Sequence, residues 1–197
     1  MTKEEQILKI IERSGIIRPC DLEKKGLSRQ ILYRLYISGQ IVRLGRGLYA
    51  VKNYEPTEYH SIVEVCSRVT KGVVCLLSAL QFHNLTTQLP HEVWIAIELK
   101  ARTPRINAPV RFMYFSGIAF TEGIEKYNIE GTEVKVYYPA KTVADCFKYR
   151  NKIGLDVAIE ALRDCISQKK CTVNEIWKYA KICRVTNIMK PYLEAIV

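Results

Sequence analysis

The sequence predicts an α+β protein, and three observations carry that reading. Apolar residues recur at helical spacing in three short segments before residue 40. The period then changes to that of a strand, a tight turn and a returning strand. Further along, apolar strand-like runs at 93–99, 110–115 and 133–138 precede a stretch that is helical from Pro139 onward.

The elements follow in order. Thr2 and Glu5 have the spacing of a capping box, and Ile7, Leu8, Ile10 and Ile11 line one face of the helix they open. Gly15 ends it. Pro19 opens a short helix through Asp21, Leu22 and Glu23 to Gly26. Ser28 caps a third helix, Arg29 to Ser38, and Gly39 stops it. Ile41–Leu44 and Leu48–Val51 are the strands of a hairpin turning at Gly45, Arg46 and Gly47. Three helices and a hairpin within about fifty residues form the plan of a winged helix-turn-helix, expected over residues 1–53. Tyr54–Thr57 is the expected junction to an α+β domain over 54–197, with a small sheet and a helical C-terminal part. Helices are expected at 58–69 and 140–148, and one capped by Ser78 through Phe82. Leu155, Ile159, Leu162 and Ile166 give another an apolar stripe, and Thr172 with Glu175 is a second capping box.

Charge points to the partner. The chain has 30 Lys and Arg against 20 Asp and Glu, a net +10, and residues 1–52 alone carry +6 of it. Such a balance fits a polyanion, most commonly nucleic acid. At about 100° per residue, Ile31, Leu32 and Leu35 turn inward on the third helix. Arg29, Gln30, Tyr33 and Arg34 then fall on the outer side. That face offers two guanidinium forks, an amide and a phenol, the groups that read guanine and adenine in a major groove. Ser28 and the helix N-terminus can meet a phosphate. The hairpin adds Arg43, Arg46 and Tyr49, where glycines flanking Arg46 let the backbone approach a phosphate or the minor groove.

The string at 26–49, GLSRQILYRLYISGQIVRLGRGLY, resembles the N-terminal domain of the AbiEi-type antitoxins, regulators of abortive-infection toxin–antitoxin pairs. The likeness is closest along I-x-R-x-G-R-G-x-Y, which begins at Ile41. Leu77–Leu80, Tyr138–Phe147 and Gly154–Leu162 are similar to later segments of the same family, and the likeness fades after about residue 170. The resemblance implies a repressor of its own toxin–antitoxin operon that reads inverted repeats in double-stranded DNA as two copies. It also implies a nucleotidyltransferase-like toxin as functional partner, opposed without a stable complex. No cofactor is implied.

The remaining chemistry is sparse. His60, His83 and His91 lack metal-ligand spacing, and no Gly-rich phosphate loop or nucleophile elbow is present, so no cofactor or metal is expected. Lys141, Thr142 and Asp145 read as capping and packing residues. The longest apolar runs, Val73–Leu77 among them, are far below the roughly 20 residues of a membrane span. The first residues carry no apolar leader, and the odd count of seven cysteines fits reduced thiols, so a cytoplasmic location is expected. One alternative is an enzyme. Glu98-Leu99-Lys100 ends an apolar strand with the Glu-x-Lys spacing of metal-dependent DNA nucleases, although the second carboxylate such a site needs is not evident. Another is a non-catalytic module whose winged helix binds protein or RNA.

Overall fold

A computed structural model describes residues 2–45, 47–54 and 57–196. The chain divides into two compact units: residues 1–63 with 128–133, and residues 64–127 with 134–197.

The first unit begins with α1 (Lys3–Ser14), β1 (Ile16–Ile17), α2 (Pro19–Glu23) and α3 (Arg29–Ile37). The hairpin strands β2 (Ile41–Gly45) and β3 (Leu48–Val51) follow. The expected capping box closes α1: the Thr2 hydroxyl accepts from the Glu5 amide, and the Glu5 carboxylate accepts from the Thr2 amide. Ser28 caps α3 by accepting from the Gln30 amide at 3.2 Å. Ile7 and Ile11 of α1, Leu22 of α2, Leu32 and Leu35 of α3 and Ile41 of β2 form one buried core. Each buried Leu or Ile contributes about 1.5–3 kcal/mol relative to exposure. The strands form an antiparallel sheet in the order β1-β3-β2, and this unit is a winged helix-turn-helix. The two-residue β1 is not evident from the sequence, being too short to show any period.

The segment Asn128–Glu133 clusters with this unit. Gly131 has φ +70°, and a Cβ there would stand 2.5 Å from that of Ser14, so only glycine fits. Glu130 accepts from the Thr57 amide at 3.0 Å and from the Thr57 hydroxyl at 2.5 Å, and lies 3.1 Å from His60 Nδ1.

Next come α4 (His60–Arg68), β4 (Val73–Val74), α5 (Leu76–Phe82), β5 (Val93–Glu98), β6 (Val110–Phe115) and α6 (Ile118–Thr121). Then come β7 (Ile124–Ile129), β8 (Thr132–Tyr137), α7 (Pro139–Lys148), α8 (Arg150–Ile153) and α9 (Leu155–Ser167). The last helices are α10 (Val173–Cys183) and α11 (Thr186–Ile196). Five strands form a mixed sheet in the order β6-β5-β4-β8-β7, with β5 parallel to β6 and antiparallel to β4. Residues 93–97 of β5 are buried on both faces, as their unbroken apolar run predicts. Leu80, Trp94, Phe115, Tyr137, Phe147 and Leu162 belong to the core of the second unit.

Two local expectations change. Ser78 lies inside α5, which starts two residues earlier with Cys75 at its N-cap. Its hydroxyl instead accepts from the Trp94 amide at 3.0 Å, and so joins helix to sheet. Lys141 and Thr142 cap nothing either. They lie fully buried in α7 with Asp145. Lys141 Nζ donates to Asp145 Oδ2 at 2.5 Å, Cys183 Sγ donates to Asp145 Oδ1, and Thr142 donates to the Tyr137 carbonyl. All seven cysteines are free. Among the described residues, no helix is long and apolar enough to cross a membrane.

Candidate nucleic-acid interface

The inward side of α3 is set by Ile31, Leu32 and Leu35, each less than a tenth exposed. Ser28, Arg29, Gln30, Tyr33 and Arg34 are consequently all exposed. A cap at one end and an apolar stripe along one face thus hold four polar side chains outward on a rigid element. Together with Lys3, Pro19 and Tyr49 they border a shallow groove of about 820 Å³. Arg43 on β2 is exposed, and Tyr49 on β3 is half-buried. Gly47 takes φ +76° in the turn between these strands, a conformation that favours glycine. Arg46, the turn residue of the sequence reading, lies outside the described residues.

Three of the cations here, Arg29, Arg34 and Arg43, have partners. Arg34 Nη2 is 3.3 Å from Glu4 Oε1, and Arg29 Nε is 3.8 Å from Glu23 Oε1. Arg43 Nε donates to the Gly45 carbonyl at 3.1 Å. Both ion pairs are solvent-exposed, so each contributes about 0–1 kcal/mol and yields readily to a phosphate or a base.

Sequence reasoning missed Tyr36. Its ring centroid is 6.5 Å from Tyr33 and 6.0 Å from Tyr49, so three phenols run from α3 onto the wing strand. The signal was present, because Tyr36 is three residues beyond Tyr33 and seven beyond Arg29, hence on the same face. Glu4 and Lys3 carried no such signal, since only tertiary packing brings the start of α1 beside α3.

Glu98 and Lys100 are both exposed and border a separate depression in the second unit. Arg68, Lys71 and Arg102 border it as well, and Glu98 is the only carboxylate among its lining residues. The two carboxylates weighed from the sequence as a second metal ligand are both held in ion pairs. Glu92 pairs with Arg111 at 2.6 Å, and Glu64 with Arg68 at 2.9 Å. Among the described residues, no three His, Cys, Asp or Glu side chains group as metal ligands.

Comparison with known proteins places the domain that carries this face. Residues 5–52 match the family of transcriptional regulators described as AbiEi antitoxin, from α1 through the wing. This part of the chain is therefore similar to a domain found in transcriptional regulators of the AbiEi antitoxin family. Over its whole length the chain is similar in fold to the crystal structure of the RV2827C protein from Mycobacterium tuberculosis, with a TM-score of 0.57 and 13% identity, across 80% of that chain. At that identity the likeness is one of fold. No curated protein matches the sequence.

Proposed function

We propose that this chain is a sequence-specific DNA-binding repressor that autoregulates a toxin–antitoxin operon and acts as antitoxin to a nucleotidyltransferase-like toxin. The observation that carries the reading is the capped helix α3, whose exposed Arg29, Gln30, Tyr33 and Arg34 stand beside a wing on a closed apolar core. In the bound state α3 enters a major groove. Gln30 and Arg34 read base edges, Ser28 and Arg29 meet phosphates near the helix N-terminus, and Arg43, Arg46 and Tyr49 hold the neighbouring backbone or minor groove. Two copies occupy an operator of inverted repeats. DNA binding is assigned to residues 1–53 and antitoxicity to residues 54–197. Neither role requires catalysis, and the toxin is opposed without a stable complex, in the cytoplasm. The lone Glu98 among four cations gives the nuclease alternative no support.

A reporter fused to the DNA upstream of the gene tests regulation. Supplying the protein lowers expression, and the double variant Gln30→Ala, Arg34→Ala relieves that repression while the protein still accumulates. Unchanged repression by the double variant refutes the face assignment. Rescue of cells expressing the companion toxin tests the second half. It survives in the double variant if antitoxicity resides outside residues 1–53.

A further inference from the structure

The depression that holds Glu98 and Lys100 has a composition that DNA reading by α3 does not use. It lies at the end of β5, measures about 520 Å³, and joins two kinds of wall. One is cationic: Arg68, Lys71, Lys100 and Arg102. The other is apolar: Val69, Ile97 and Phe120. Val69 and Ile97 are buried beneath it, and Phe120 is half-exposed.

A second, independent observation lies on the same wall. Among the described residues, Arg68 Nε is the buried side-chain nitrogen or oxygen without a hydrogen-bond partner. Glu64 engages Nη2 of that guanidinium and leaves Nε bare. Buried donors are almost always satisfied, so Arg68 is a cation on this wall whose hydrogen bonding the fold leaves incomplete. A divalent cation would find Glu98, with Glu64 already taken by Arg68, against three further cationic side chains, an unfavourable set. An anion finds the reverse. The volume is that of a small-molecule site, and cations joined to an apolar wall suit a ligand with a charged end and a flat, poorly hydrated end.

We propose that this depression binds a nucleoside phosphate. Lys71, Lys100, Arg102 and the Arg68 guanidinium take the phosphate oxygens, and the base lies against Phe120 and the aliphatic floor. Glu98 accepts from a ribose hydroxyl. The site belongs to the second unit and does not depend on the DNA reading of α3.

Calorimetric titration of the full-length protein with ATP and with GTP, at fixed ionic strength, tests this. At least one gives a saturable isotherm, whereas adenosine or guanosine binds at least tenfold more weakly because it lacks the phosphates. The double reversal Lys71→Glu, Arg102→Glu, at two exposed positions, weakens binding at least tenfold. Lys181→Glu, an exposed reversal outside the depression, and Arg34→Ala on α3 leave it unchanged. Arg68→Met weakens binding with the fold intact by circular dichroism. The proposal is overturned by no saturable binding of either nucleotide to millimolar concentration. Equal loss with Lys181→Glu overturns it too, because the effect is then diffuse charge. Pyrophosphate binding as tightly as the nucleotides removes the base from the assignment. Single-stranded RNA binding there while both mononucleotides fail makes the surface a nucleic-acid face instead.

Discussion

Arg34 of α3 and Glu4 of α1 form an ion pair across the edge of the proposed DNA-reading face, Nη2 to Oε1 at 3.3 Å. The first turn of one helix is thus paired with a cation of another. Duplex DNA must displace Glu4 or carry it close to a phosphate. Either way, the carboxylate opposes binding more than it supports the fold, because an exposed pair contributes about 0–1 kcal/mol. Glu4→Gln is expected to raise affinity for duplex DNA a few-fold and to leave thermal stability nearly unchanged. Arg34→Ala is expected to cost about 1–3 kcal/mol of operator binding and to relax preference at one base position. Fluorescence anisotropy on the operator and on single-base variants measures both.

The wing makes a different prediction. A phosphate contact carries no sequence information, so Arg46→Ala weakens binding to every duplex alike. It also lowers the slope of log affinity against log salt by about one unit. A loss confined to the operator would place Arg46 on a base instead.

Much of this was legible in the sequence, and the reasons are local. The cap at Ser28, the apolar triplet of Ile31, Leu32 and Leu35, and the change of period at Ile41 define α3 and the wing without tertiary information. Thr2 with Glu5, and Thr172 with Glu175, both form the capping boxes their spacing predicts. What stayed hidden depends on distant residues. The Glu4–Arg34 pair is one case, and the pairing of Ile16 with Ala50 in a two-residue strand is another. β7 alternates weakly, with no residue fully buried, so its sequence carries little strand signal. α11 contains Pro191, a residue that ordinarily ends a helical pattern.

Glu130 supplies a pH dependence. Burial alone would push its carboxyl up, but hydrogen bonds from Thr57, Tyr54 and His60 outweigh burial and hold it below the usual carboxylate range. A carboxyl with a depressed folded-state pKa adds stability above its unfolded value of about 4.3, and that stability is lost as pH falls through the folded value. Glu130→Gln is expected to cost about 1–3 kcal/mol near neutrality. The gap between wild type and variant narrows below about pH 4.3. Urea unfolding at a series of pH values checks this, and a gap that widens on acidification refutes it.

The buried pair Lys141–Asp145 makes an asymmetric prediction. Asp145→Ala strands a fully buried ammonium and is expected to cost about 3–5 kcal/mol. The double variant Lys141→Met, Asp145→Leu removes both charges at similar volume and recovers most of that loss. Denaturant midpoints of the two proteins decide the matter. If the double variant is no more stable than Asp145→Ala, the pair is not the source of the effect.

The central claim is that α3 reads a particular DNA sequence, and a titration tests it most directly. Purified protein is added to labelled duplex from upstream of its own gene, and separately to a scrambled duplex of the same length, at several salt concentrations without Mg²⁺. The account predicts binding to the natural duplex at least about a thousandfold tighter than to the scrambled one. It also predicts that Gln30→Ala removes a large part of that preference. Equal, weak binding to both duplexes, unaltered by Gln30→Ala, would contradict it.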